Sequence, residues 1–184
     1  SPLVLICYYT NVAETSNSSI RIVIALGNPG ARYAHTYHNA GIVVLNGLKR
    51  ILQPSAPRTH FLRSSVFMNE SGSFVSRELA RRKMTPGELL VVHDDSDLPL
   101  GSYKLSFGRG SAGHRGVASI IAALKTKSFW RLRIGIRPAA APGSAATVRK
   151  KAGSFVLAPI RAPGREAIAR AAAEAAAVVR EKLV

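Results

Sequence analysis

The chain alternates short, unbroken apolar runs with stretches whose apolar residues recur every three or four positions. Ile22-Val23-Ile24-Ala25-Leu26 and Leu89-Leu90-Val91-Val92 are continuous apolar runs, the pattern of strands buried on both faces. Residues 39–52 carry Ile42, Leu45, Leu48, Ile51 and Leu52 at helical spacing, which predicts a helix. Residues 71–83 predict a second, with Val75 and Leu79 inward and Arg77, Arg81 and Arg82 reaching solvent. Val117, Ile120, Ile121 and Leu124 form an i, i+3, i+4, i+7 stripe and predict a third. Residues 163–184 are Ala-rich and helical, with Pro163 where a helix start tolerates it. Residues 61–67, 103–107 and 130–136 read as strands, the last alternating apolar positions with Arg131 and Arg133. Pro54 to Pro57, Pro86-Gly87, the glycine-rich residues 108–116 and residues 139–151 read as turns and loops.

Strands alternating with helices predict an α/β protein. The expectation is a single-domain three-layer α/β/α sandwich around a central mixed, mostly parallel sheet. Residues 20–184 form that domain. Residues 1–19 are an N-terminal extension, read as an additional edge strand because 3–9 are apolar without the basic start of a signal peptide.

Composition narrows the function. The chain has 184 residues, enough for one domain with a sizeable core. One cysteine, Cys7, rules out an internal disulfide framework and a Cys-based zinc site, and fits a reducing compartment. No apolar run approaches the roughly 20 residues of a membrane span, so no membrane partner is expected. Against this, 26 Lys and Arg face 10 Asp and Glu, a formal net charge of +16. Such an excess points to polyanions: tRNA, other RNA, DNA or an anionic membrane surface.

All three aspartates lie in one segment, His93-Asp94-Asp95-Ser96-Asp97-Leu98-Pro99, directly after an apolar run. A buried strand ending in a polar cluster is how an open α/β sheet presents a site at its carboxyl edge. A second cluster, Gly27-Asn28-Pro29-Gly30 with Tyr37-His38-Asn39 behind it, follows the other apolar run. Taken singly these residues are ordinary: Asn28 suits a turn tip, Asp94 a turn, His38 a helix start and Asn69 a cap. Together, on a basic chain, they suggest hydrolysis of a nucleic-acid derivative.

Leu26-Gly27-Asn28-Pro29-Gly30, then Tyr33, then His38-Asn39-Ala40-Gly41 resembles the N-terminal signature of bacterial-type peptidyl-tRNA hydrolases. Phe67-Met68-Asn69-Glu70-Ser71-Gly72, the segment from His93 to Gly101, Gly110-Ser111-Ala112-Gly113-His114-Arg115-Gly116, Trp130 to Ile136 and Phe155-Val156-Leu157 follow in the family's order, over about residues 20–160. The resemblance implies a eukaryotic or organellar member that cleaves the ester between a nascent peptide and the 3′ end of tRNA, with no cofactor and no metal. It implies that His38 is the general base, that Asp94 orients it, that Asn28 holds the water or ester oxygen, and that Asn69 binds peptide backbone and oxyanion. It places Tyr33 near the terminal adenosine, and Met68, His114 and Arg115 against the substrate. Arg133 matches the arginine of the family's clamp for the tRNA 5′ phosphate. Ser106 stands at the clamp's lysine position, with Lys104 as a substitute two residues away. Arg115 replaces the asparagine of the family's His-Asn-Gly. The implied partners are peptidyl-tRNA, held by its acceptor arm and 3′ CCA end, and the ribosome. The implied state is a monomer, intracellular, in the mitochondrial matrix or cytoplasm, serving translation and ribosome rescue. The alternative is a catalytically weakened RNA-binding protein on the same fold, such as a splicing or ribosome-associated factor. Arg115 favours that alternative; the intact Asn28, His38, Asn69 and Asp94 oppose it.

Overall fold

The two unbroken apolar runs stand side by side at the middle of one sheet. In the computed structural model, which describes residues 19–138 and 155–183, five strands lie in the order β2-β1-β3-β5-β4. They are β1 (Ile22–Ala25), β2 (His60–Arg63), β3 (Leu89–Pro99), β4 (Tyr103–Phe107) and β5 (Trp130–Arg137). β2, β1, β3 and β5 are parallel and β4 runs antiparallel at the edge. Because β1 and the start of β3 are covered on both faces, every residue from Ile22 to Ala25 and from Leu89 to Val92 is buried.

Helices α1 (Ala40–Leu52) and α4 (Ala162–Arg180) cover one face, packing Leu45, Leu48, Ile168 and Val179 onto Val23, Leu90, Leu132 and Ile134. Helices α2 (Ser71–Arg82) and α3 (Arg115–Leu124) cover the other, packing Val75, Leu79, Val117 and Ile120 onto Ile22, Ile24, Leu89 and Val91. This is the expected three-layer sandwich. No helix among the described residues is long and apolar enough to cross a membrane. The N-terminal extension expected at 1–19 as an edge strand, all but Ser19, and the loop expected at 139–151, with its basic triplet, lie outside the described residues.

Two strands differ from the sequence pattern, and both differences build the site. β2 ends at Arg63; Ser64 gives one last rung, its N–H donating to the Ala25 carbonyl at 2.9 Å, and the chain then leaves the sheet. Phe67 leads into a single tight turn, Met68–Glu70, instead of extending the strand. β3 does not stop at Val92. It continues through the aspartates to Pro99, because His93, Asp94 and Asp95 pair with Arg133, Ile134 and Gly135 of β5. The pairing then shifts, so that Pro99 stands opposite Arg137. At that shift the chains nearly touch: a Cβ on Gly135 would stand 1.9 Å from the Pro99 carbonyl oxygen.

The basic face expected on α2 is partly spent within the helix. Glu78 accepts from Arg81 at 3.0 Å and also from Arg82. Burial raises the Glu78 carboxyl, but the two guanidinium groups more than offset it and hold it below its ordinary value.

Gly135→Ala is expected to destabilise the protein by about 1–3 kcal/mol, the range of overpacking. A urea unfolding midpoint equal to the parent's would show that the β3–β5 approach yields easily.

Candidate active site at the carboxyl edge of the sheet

The centre of the site is one carboxylate oxygen. Asp94, midway along β3 and only 3% exposed, accepts two hydrogen bonds on Oδ1. One comes from Nδ1 of His38 at 2.8 Å, the other from Nε2 of His114 at 3.0 Å. His38 sits in the tight turn Tyr37–Asn39 that leads into α1, and its backbone N–H donates to the Val156 carbonyl at 2.8 Å. His114 is the N-cap of α3; its Nδ1 accepts the Val117 N–H at 3.2 Å, so the ring proton belongs on Nε2. Burial alone would raise the Asp94 carboxyl. The attraction and hydrogen bond of the His114 N–H, then those of the His38 N–H, overcome burial and hold it well below the usual carboxylate range. An ionised Asp94 fixes the proton of His38 on Nδ1. Its Nε2 is left with a lone pair and no hydrogen-bond partner among the described residues.

A third ring supports the other two. His93 is fully packed, donates Nδ1–H to the Asp94 carbonyl at 2.8 Å, and meets the His114 ring edge-on at 4.7 Å between centroids. Burial, and next the neighbouring His114, push its pKa well below the ordinary histidine value, so it is neutral.

Amides line the opposite wall. Asn39 closes two bonds on the backbone of Asn28: Oδ1 accepts the Asn28 N–H at 2.8 Å and Nδ2 donates to the Asn28 carbonyl at 3.0 Å. The Asn28 side chain accepts the Met68 N–H on Oδ1 at 3.2 Å, which leaves its NH₂ as the free donor end. Asn69 follows Met68 in the tight turn, with its side chain exposed toward the same space.

These groups surround a cleft of about 870 Å³, lined by Asn28, His38, Met68, Asn69, Asp94, His114 and Arg115. Seven of the ten residues singled out in the sequence therefore share one cavity. Tyr33 is not in its wall but packs edge-on against Phe67, which is, at 6.2 Å between centroids. Arg133 and Lys104 stand opposite one another on β5 and β4 and outside that lining. Arg133 Nε donates to Asp95 Oδ2 at 2.5 Å, so the proposed clamp arginine is tied to the residue after Asp94. Arg131, one of the alternating basic positions of β5, is 2% exposed and donates to the Gly110 carbonyl at 2.7 Å. It anchors the glycine-rich loop. Burial lowers its pKa to about 10, which leaves it charged.

Asn39 and Asp95 were not singled out as site residues. Asn39 lies inside the His38-Asn39-Ala40-Gly41 block, and Asp95 beside Asp94, so adjacency was the available signal.

His38, Asp94 and His114 bring three possible ligand atoms within 4.8 Å of one another. The hydrogen bonding fits a metal poorly. Each histidine directs an N–H, not a lone pair, at the same carboxylate oxygen, whereas an ion needs unprotonated nitrogens facing it. A carboxylate-oriented imidazole with a nitrogen facing a cleft lined by amides can take a proton from water there. Similarity to known proteins agrees. A family model for peptidyl-tRNA hydrolase matches residues 22–184. The peptidyl-tRNA hydrolase of Cupriavidus metallidurans is 41% identical over 167 residues, 81% of this chain and 84% of that one. The Cupriavidus necator enzyme is 39% identical over 167 residues, with the same two coverages, 81% and 84%. Among solved structures, peptidyl-tRNA hydrolase from Acinetobacter baumannii matches with a TM-score of 0.74 at 27% identity, covering 92% of this chain and 91% of that one. A complex of peptidyl-tRNA hydrolase with N-propanol gives 0.72 at 28% identity, covering 88% and 87%. This chain belongs to the peptidyl-tRNA hydrolase family.

His93 makes a prediction about pH. Below about 6.5 the unfolded chain binds a proton on this residue that the folded protein does not. Stability therefore falls as pH drops below that value, by about 1.4 kcal/mol per pH unit from this group. His93→Phe should remove that part of the slope, whatever it does to absolute stability. Urea unfolding from pH 7.5 to 5 checks it; parallel slopes in parent and variant would exclude His93 as the titrating group.

Proposed function

We propose that this protein hydrolyses the ester between a nascent peptide and the 3′ end of tRNA, with His38 as general base. The observation that carries the reading is the lone pair of His38 Nε2, fixed in the cleft by the Nδ1–H bond to Asp94. A water in the cleft loses its proton to Nε2 as its oxygen attacks the ester carbonyl carbon. The carbonyl electron pair moves to oxygen, and the NH₂ groups of Asn69 and Asn28 stabilise that charge. When the pair returns, the bond from carbon to the ribose oxygen breaks, and His38 returns its proton to that oxygen. Peptide leaves as acid and tRNA with a free hydroxyl. Asp94 keeps the imidazole oriented and offsets its transient positive charge. Phe67 and Leu157, 45% and 54% exposed at the cleft, suit apolar parts of the peptide. The net charge of +16 suits phosphate contacts that position tRNA without reading its sequence. The RNA-binding alternative leaves the His38–Asp94–His114 arrangement without a use.

In the same reading the CCA end lies past Tyr33 and the 5′ phosphate reaches Arg133 and Lys104. In this reading the protein acts as a monomer. It rescues peptidyl-tRNA shed by ribosomes in the cytoplasm or mitochondrial matrix, without a metal.

His38→Ala is expected to lower turnover of a defined peptidyl-tRNA by about 10² to 10⁴ while leaving tRNA affinity nearly unchanged. The parent should keep its rate in EDTA. A fully active His38→Ala variant would refute the mechanism, and activity lost in EDTA and restored by Mg²⁺ would return the metal.

Arg115 is the exposed first residue of α3, where a cation opposes the helix dipole. That cost fits a phosphate or ribose contact. Arg115→Asn should weaken tRNA binding and reduce the slope of log affinity against log salt by about one. Equal affinities across several salt concentrations would remove Arg115 from the interface.

A further inference from the structure

The wall of the cleft that carries Asn69 is held from behind by a residue outside the cleft's lining. Ser119 lies on α3, one turn beyond His114, and its hydroxyl makes two bonds across to the start of α2. Oγ donates to the Asn69 carbonyl at 2.8 Å and accepts the Gly72 N–H at 2.9 Å. The first N–H groups of a helix have no partner within it. The N-cap of α2 is Glu70, which gives no side-chain cap, and its carboxylate accepts the Phe67 N–H at 3.3 Å instead. Ser119 therefore caps α2 from the neighbouring helix, and the same hydroxyl pins the carbonyl of Asn69 just upstream. The approach is at backbone distance: a Cβ on Gly72 would stand 2.2 Å from the Ser119 carbonyl oxygen. On its other side the turn is held by the Met68 N–H bond to Asn28.

We infer that Ser119 is a positioning residue for the reaction: its hydroxyl sets where the Asn69 amide stands relative to the ester. The inference rests on the role proposed above for Asn69 and deepens it. It also completes a closed circuit around the cleft. From Ser119 the contacts run through α3 to its cap His114, then to Asp94 and His38. They continue through the adjacent Asn39 to Asn28, Met68 and Asn69, and so back to Ser119. The base and the amide donors thus share one hydrogen-bonded frame, and Ser119 is its link between the two halves of the site.

The test uses Ser119→Ala, Ser119→Thr, Ser119→Val, Asn69→Ala and the double variant Asn69→Ala/Ser119→Ala, assayed on one peptidyl-tRNA with kcat and KM separated and affinity for uncharged tRNA measured alongside. An oxyanion donor displaced by a fraction of an ångström to 1 Å costs about 10- to 100-fold in rate. Ser119→Ala should lower kcat by that factor and leave KM and tRNA affinity unchanged. Thr and Val have the same shape, so whatever crowding the extra methyl brings is common to both; Thr should retain at least ten times the kcat of Val. In the Asn69→Ala background, removing the hydroxyl should cost less than twofold, since the group it positions is already gone. A full loss persisting in that background, or equal rates for Thr and Val, would overturn the positioning role while leaving the function of Asn69 intact. An Asn69→Ala variant with parental kcat would overturn the role of Asn69 and this inference with it.

Discussion

Everything at the carboxyl edge is arranged around Asp94 Oδ1. A carboxylate in so buried a place is expensive to keep charged, and it stays charged only because two imidazole N–H groups point at the same oxygen. Each bond does something different on its far side. At His114 the other ring nitrogen is taken up by the first turn of α3, so the aspartate locks the glycine-rich loop and its helix in place. At His38 the other nitrogen is left open to the cleft. One ionised oxygen thereby converts a rigid contact on one side into a chemical lone pair on the other.

That oxygen is where it is because β3 keeps going. Had the strand ended with its apolar run, the aspartates would sit in a loop with two soft dihedrals per residue. Pairing of His93, Asp94 and Asp95 with β5 removes that freedom. It also places alternate residues on opposite sides of the sheet. Asp94 reaches the side of α1, where His38 waits; Asp95 turns the other way and holds Arg133. The glycine at 135 lets the two strands come close enough for the ladder to shift beyond Asp95.

The positive charge divides into structural and available parts. Arg131 is buried against Gly110, Arg133 is paired with Asp95, Arg21 with Glu88 at 2.9 Å, and Arg82 with Glu78. These cations build the loop, the strand edge and the helix surface. The excess over the few acids remains for a polyanion, and it remains because there are only 10 acids to absorb it.

Hydrophobic order along the chain by itself determined the layers. Short β-branched runs such as Ile22 to Leu26 suit strands covered on both faces, and stripes such as Val117, Ile120, Ile121 and Leu124 suit helices with one buried side, so burial of apolar surface favours the α/β/α sandwich. The resemblance carried by the ordered motif blocks is what assigned His38, Asn69 and Asp94 to one site. Neither pattern contained the end of β2, the length of β3 or the use of each polar group. A strand's end depends on whether a neighbour offers carbonyls and N–H groups, which is a property of the partner strand. The duties of Arg131, Asn39 and Ser119 depend on groups 21, 11 and 50 residues away. A serine five residues into a helix after a histidine reads locally as a polar surface position. Only the packing of α3 on α2 at backbone distance turns its hydroxyl toward Asn69, because hydrogen bonds are short-ranged and directional, and only tertiary structure brings their two ends together.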